Sequence, residues 1–365
     1  MIYDVLIIGA GVTGVMTARY LSTKTCSVAV CEMGSDVAMG ATRANSAIVH
    51  AGYDAKPGTL KARLNVQGNR LMKELGAAWD FPVRPTGSHV IGFDEGDLKK
   101  LRELYDRGMA NGVPNLKIIT GDELRAMEPN VSPAAHASLW APSAAITCPY
   151  GITIAAAENA ATNGVHFYFN FKVSGVSEAG GIYYISNGHD TIAAHYVVNA
   201  AGVHSAEVAE ILGENDFPIN VIPRRGEYMV LDKTMGHMAN STLFVVPSER
   251  GKGILVSPTA DGNLLVGPNA YAIDDPDDTS TTADGLHEIS DGAHRIMPQL
   301  DLRNVITSFA GVRPTPNIYD FYLKNSEQLP GVVHAVGVES PGFASGPATG
   351  EYIAGLLSDA GLNLT

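Results

Sequence analysis

Residues 2–8, IYDVLII, run without a break into Gly9-Ala10-Gly11-Val12-Thr13-Gly14 and then into VMTARYL. A short, β-branched and almost continuously apolar strand is one buried on both faces, the habit of a parallel sheet. The run VMTARYL reads as a helix, and SVAVCE at 27–32 reads as a second strand ending on Glu32, 23 positions after Gly9. Glycines alone would say little in a chain with 39 of them. Between a strand and a helix they have separate tasks: Gly9 makes the tight turn, Gly11 lets backbone approach a pyrophosphate, and Gly14 lets the helix close onto the strand. The helix N-terminus then offers Val12, Thr13 and their neighbours to phosphate oxygens, with the dipole adding positive charge. Glu32, with Met33 beside it, is placed to accept from a ribose hydroxyl.

Two further segments repeat the strand–glycine–helix pattern. One is VVNAAGVHSAEVAEIL at 197–212, with Ala201 and Gly202 at its turn; the other is VVHAVGVESPGFASGPATGEYIAGLL at 332–357, with Gly342 and Phe343 at its turn. In the last, the helix is expected to open around 345–347, with Pro347 in its first turn. A nicotinamide enzyme would continue from the second strand with regular βαβ units. Here a loop of small and hydroxyl residues follows, GATRANSAIVHAG, bringing Thr42, Arg43, Asn45 and Ser46. Three separated turns and a loop able to wrap a ligand along its length argue for FAD in a discontinuous domain; Val173 completes the expected cofactor-binding set.

Charge and cysteines bound the rest. Lysine plus arginine number 25 against 38 acidic residues, a net charge of -13. Such a surface repels phosphate backbones, so nucleic acid is excluded as a partner. Cys26, Cys31 and Cys148 form no CxxC pair, which fits a reducing compartment. The first 21 residues lack a basic segment and carry Asp4, no run reaches the ~20 apolar residues of a transmembrane segment, and no cluster has metal-ligand spacing. The expectation is an enzyme without metal, cytoplasmic or peripheral to the membrane.

The segments GAGVTG, ANSAIVHAG, NAAG, PRRGEY, FAGVRP and ESPGFASGPA together resemble the FAD-dependent D-amino-acid oxidase and glycine oxidase superfamily. NSAIVHAGYDAKPGTLKARL with PSERGKGILVSPTADGNLLVGPNA is most similar to its glycerol-3-phosphate oxidase and dehydrogenase branch; L-2-hydroxyglutarate oxidases share the histidine loop. The fold this implies is α/β: a Rossmann-like FAD-binding domain over 1–80, 145–212 and 330–365, interleaved with a mixed-sheet α+β substrate domain over 81–144 and 213–329. GSHVIGFD reads as a strand of the second unit. Thr120 and Glu123 have capping-box spacing, and GILVSPTADGNLLVGP reads as a hairpin closed near Asp261-Gly262. Two positions depart from the pattern: Ala47 stands where glycine is expected after NS, and Phe343 where leucine is usual.

Oxidising an alcohol needs a hydride acceptor, a base and a grip on the rest of the substrate. His50, in a stretch otherwise made of small residues, is the candidate base. With 46–50 extended, Ser46, Ile48 and His50 share one face. Arg313, held extended by the following Pro314, offers a fork for an anion. The resemblance adds Lys252 as a second anion or substrate contact, and Ser340 reads either as a cap or as a group touching substrate or flavin. Arg224 and Arg225 read as positive lining, unless one pairs with Glu227. The expected partner is a small anionic substrate, glycerol 3-phosphate first, against an L-2-hydroxy acid or, in a different class, a flavin module without turnover. The resemblance leaves the acceptor open between dioxygen and a carrier. Some relatives continue into a cysteine-rich electron-transfer domain after the point where this sequence ends at LLSDAGLNLT.

Overall fold

A computed structural model of the chain describes residues 1–247 and 253–365. The N-terminal unit appears as read: β1 (Ile2–Ile8), α1 (Val12–Leu21) and β2 (Val28–Cys31). β1 lies between β2 and the strand Thr191–Asn199, parallel to both. Val5 and Ile7 enter the core beneath α1, while Leu6 and Ile8 enter the core on the opposite face. That is why its sequence does not alternate. Strand Val332–Val336 adds in parallel beside Thr191–Asn199, His166–Tyr168 in parallel beside β2, and three antiparallel strands complete an eight-stranded sheet. The three strand–glycine–helix segments therefore reach neighbouring positions in one sheet.

A two-residue strand, β3 (Ile48–Val49), pairs with Ala145–Thr147 in a small sheet that also holds Val83–Arg84. It leads into α2 (Leu60–Ala78), whose N-cap Thr59 accepts from the Ala62 N–H. The remaining strands form a nine-stranded, mostly antiparallel sheet. Its longest pair is Val221–Leu231 against Val305–Pro316, with Arg224 directly opposite Arg313. Strand Ser88–Gly92, the capping box of Thr120 and Glu123, and the hairpin of Leu255–Pro258 with Leu264–Gly267 all form where the sequence places them. The mixed α/β fold class is borne out.

Several details differ from the sequence reading. Strand Tyr322–Asn325 lies within the 213–329 stretch but pairs with Val332–Val336 in the first sheet. Cys31 is buried in β2 and its thiol is pushed up to about 12 by burial, whereas Cys26 lies before the strand and is half-buried. The final helix begins at Gly342 rather than around 345–347, which leaves Pro347 inside it. The cause is local: Ser345 donates both its N–H and its hydroxyl to the Pro341 carbonyl, closing the first turn early. This helix packs very closely on its neighbours, since a Cβ at Gly350 would come within 2.5 Å of the Met16 carbonyl oxygen, and one at Gly68 of α2 within 2.2 Å of Ala344's.

Candidate active site

The two sheets face each other across a cavity of about 1690 Å³. Ordinary small-molecule pockets run to ~300–1,000 Å³; this one has room for a dinucleotide and a further small molecule.

One part is built from the glycine turn. Gly9 has φ +102°, and a side chain there would strike the Ala200 carbonyl oxygen at 2.5 Å. Gly11 lines the cavity, and among the described residues an added Cβ there would meet Thr42 Oγ1 at 3.2 Å. Thr42 accepts the Val12 N–H at 2.9 Å, tying the start of α1 to the wrapping loop. Glu32 accepts the Ala10 N–H at 2.7 Å and the Gly34 N–H at 2.8 Å. It therefore fixes the turn, and each oxygen keeps a second lone pair for a hydroxyl. Val12, Thr13, Met33 and Arg43 line the same cavity, as do Val173, Ala201 and Gly202. Gly14 does not. An added Cβ there would lie 2.0 Å from the Gly9 carbonyl oxygen, so Gly14 serves the close packing of helix on turn that its place in the motif implies.

The wrapping loop corrects a second expectation. Residues 46–50 are not extended throughout: Ala47 has φ +59°, and only Ile48–Val49 is strand. Asn45 bends the chain, accepting the Ala47 N–H at 2.7 Å and donating to the Thr42 carbonyl at 2.7 Å. Its amide thus shapes the loop. A left-handed residue at 47 also explains why glycine is expected there. Ser46, Ile48 and His50 nonetheless all reach the cavity.

His50 follows directly on β3, and its carbonyl is held from α2. Asn65 Nδ2 donates to it at 2.9 Å and Asn69 Nδ2 at 3.1 Å. The His50 ring lies 5.9 Å from that of Phe244, tilted by 31°.

The long antiparallel pair supplies the opposite wall. Residues in register share a face and alternate along it, so Tyr228 with Phe309, Gly226 with Gly311, and Arg224 with Arg313 form one stripe. The Tyr228 and Phe309 rings stack at 4.7 Å. The two glycines leave a notch: a Cβ at Gly311 would lie 2.1 Å from the Ala44 carbonyl oxygen, and one at Gly226 2.4 Å from Arg313 Nη2. The notch thus seats both the wrapping loop and the guanidinium. Among the described residues, Arg313's hydrogen-bond partner is the Tyr228 hydroxyl, at 3.4 Å. Arg224 lines the cavity as well. Arg225 takes the other course left open by the sequence: it is buried, donates to Asp278 and to Ser280 at 3.0 Å, and lies 3.5 Å from the buried Glu227. Ser340, Gly342 and Phe343 line the cavity where the last helix opens, and Glu339 is held by Lys61 at 2.7 Å and by Thr315 at 2.9 Å. Lys252 lies outside the described residues.

Residues 4–356 match the family described as FAD dependent oxidoreductase (DAO). The chain belongs to this family. The residues present fit the cofactor: a glycine turn that excludes side chains and two helix N-termini open on one long cavity. This FAD-dependent oxidoreductase is 41% identical to a glycerol 3-phosphate dehydrogenase of Caloramator mitchellensis, over 98% of this chain and 74% of that protein. Among solved structures it resembles the dithionite-reduced L-alpha-glycerophosphate oxidase of Mycoplasma pneumoniae with FAD bound, with a TM-score of 0.93, 30% identity, and coverage of 100% of this chain and 96% of that one. The mitochondrial L-2-hydroxyglutarate dehydrogenase of Mus musculus is 30% identical over 72% of this chain and 60% of its own length.

What sequence reading of this oxidoreductase missed is the support around the site. Asn65 and Asn69 had a signal: two asparagines one helical turn apart, whose burial costs free energy unless they are bonded. Gly226 and Gly311 had none, because their purpose exists only once two distant strands pair. Among the described residues no group of histidine, cysteine and carboxylate side chains is arranged to hold a metal, and no helix is long and apolar enough to cross a membrane.

Proposed function

We propose that the protein oxidises sn-glycerol 3-phosphate to dihydroxyacetone phosphate. The observation that carries this reading is the Arg313 guanidinium, seated in the Gly226 notch on the wall shared with Arg224. Both arginines line the cavity, and a phosphate suits a two-point guanidinium contact. The relatives named glycerol 3-phosphate dehydrogenase and oxidase support the same substrate.

When bound, FAD supplies the hydride acceptor. The chain supplies the rest. Gly9, Gly11 and the N-terminus of α1 hold the pyrophosphate, and Glu32 accepts from the ribose. Arg313 and Arg224, with Lys252 as a further anion contact, fix the phosphate so that the C2 hydroxyl is presented to His50. The imidazole takes the hydroxyl proton as the carbonyl forms. Ser340 hydrogen-bonds the substrate or the ring system at the mouth of the last helix, whose positive end favours added negative charge beside it.

We further propose a cofactor unit that includes strand Tyr322–Asn325, in place of a boundary at 330, and a cytoplasmic location, to which the three free cysteines are suited. The test is anaerobic bleaching of the purified yellow protein by sn-glycerol 3-phosphate, with L-2-hydroxyglutarate in parallel. Bleaching by the phosphate alone is expected, and reoxidation in air then separates an oxidase from an enzyme using a carrier. Bleaching by the hydroxy acid alone would overturn the phosphate reading. No bleaching by either would leave the FAD fold and remove the substrate.

A further inference from the structure

His50 stands where no regular element holds it. β3 ends at Val49, which pairs with Ala145, and the chain then turns through Gly52 at φ +113°. The His50 carbonyl oxygen is tied to α2, accepting from Asn65 at 2.9 Å and from Asn69 at 3.1 Å. Both asparagines are buried, on one face of α2. Asn69 also reaches the Ser143 carbonyl at 2.9 Å, and its own oxygen accepts from Lys73 at 2.9 Å. Asn65 differs: among the described residues, the one hydrogen bond of its side chain is to His50. A buried amide with that single bond is an expensive way to fill a helix face, where leucine would serve packing better.

We infer that Asn65 and Asn69 are positioning residues for His50, setting where its imidazole meets the substrate hydroxyl. The inference rests on the proposed role of His50 as base. The two donors occupy both lone pairs of one carbonyl and tie it to a rigid 19-residue helix. The Cα from which the ring projects is thereby anchored. On the side of α2 the residue is closely packed: Asn65, His50, Asp54 and Pro341 enclose a second cavity of only about 10 Å³. Proton transfer demands hydrogen-bond reach, and a displacement of 1 Å can cost about 10²-fold in rate. Neither asparagine lines the large cavity where the substrate would bind. Removing one should therefore slow proton abstraction and leave substrate affinity alone.

The test uses FAD-loaded Asn65→Ala and Asn65→Asp, the second keeping the side chain's shape while placing an oxygen against the His50 carbonyl. In anaerobic stopped flow, with whichever donor bleaches the wild type, the limiting rate of flavin reduction should fall about 10²-fold, with half-saturation within about twofold. Histidine-labelled, FAD-loaded protein supplies a readout that needs no donor. The His50 ring resonance should shift or broaden in both variants while those of His89 and His334 stay in place. A limiting rate within about twofold of wild type, a raised half-saturation at unchanged rate, or an unmoved His50 resonance would each overturn the positioning role. Failure of the substrate reading appears separately, in the wild type's choice of donor. If no donor bleaches it, the resonance alone decides.

Discussion

Two histidines sit in similar sequence and opposite surroundings. His50 lies in AIVHAG and His89 in GSHVIG, each a short run of small and apolar residues. His89 is fully buried in strand Ser88–Gly92, its ring stacked on Trp140 at 4.3 Å and its Nδ1 bonded to Ser138 Oγ at 3.0 Å. Burial pushes its pKa down to about 3, so it is neutral at any ordinary pH. His50 is half-buried, follows a two-residue strand, and lines the large cavity across from the arginines. One imidazole is packing material and the other is the base of the proposed reaction. What separates them is whether the ring meets a cavity or a tryptophan, and that is a property of the fold.

The largest effect expected from this contrast is at His50. His50→Asn should lower the rate of anaerobic flavin reduction by about 10²–10⁴-fold, the usual worth of a positioned base, with the cofactor still bound. His89→Gln, measured alongside, should leave that rate within the scatter of the assay at pH 8. Equal losses in both variants would end the comparison.

Next comes the opposite wall. Arg313→Gln removes a charged hydrogen-bonding partner worth roughly 1.5–3 kcal/mol, so half-saturation by sn-glycerol 3-phosphate should rise by about 10–150-fold. The same variant should scarcely alter FAD content by absorbance. A loss of FAD with unchanged half-saturation would move Arg313 from the substrate to the cofactor.

A smaller effect is expected at Gly226→Ala, whose methyl would lie 2.4 Å from Arg313 Nη2. The clash is with the end of a flexible side chain, so the fork should swing aside instead of the sheet opening. Substrate affinity should drop about tenfold, with a smaller loss in limiting rate. An unaffected affinity would mean that the position of the guanidinium in the notch does not matter.

The smallest effect concerns stability. His89 has an ordinary pKa near ~6.5 in the unfolded chain and about 3 when folded. Between those values the unfolded state binds a proton that the native state refuses. Its contribution is therefore intact above pH ~6.5 and is lost as the pH falls, with a slope of up to about 1.4 kcal/mol per unit. His89→Gln should flatten that acid limb in denaturation curves taken between pH 7 and 4, and His50→Asn should not remove it.

The cofactor side was legible because its chemistry is local. Gly9, Gly11 and Gly14 do their work within one strand–turn–helix, so their spacing along the chain is their geometry. Gly14 packs the helix onto the turn, as its place in the motif implies. The extended form of 46–50 was misread because Asn45 bonds to the Ala47 N–H, a choice between a side-chain bond and a continued strand that propensity does not settle. Arg224 and Arg225 were indistinguishable for a similar reason. Neighbours on a strand point to opposite faces, and which face meets the cavity depends on the partner strand roughly ninety residues away.

By itself, then, the sequence determined the nucleotide-binding turn and the α/β class, because a strand–glycine–helix unit depends on residue type and on spacing within about thirty positions. Tertiary structure alone decided that Gly226 and Gly311 make one notch, that two asparagines hold His50 by its carbonyl, and that His89 is inert. Each of those facts arises from a contact between distant segments, and burial acts on a side chain only after the segments have met.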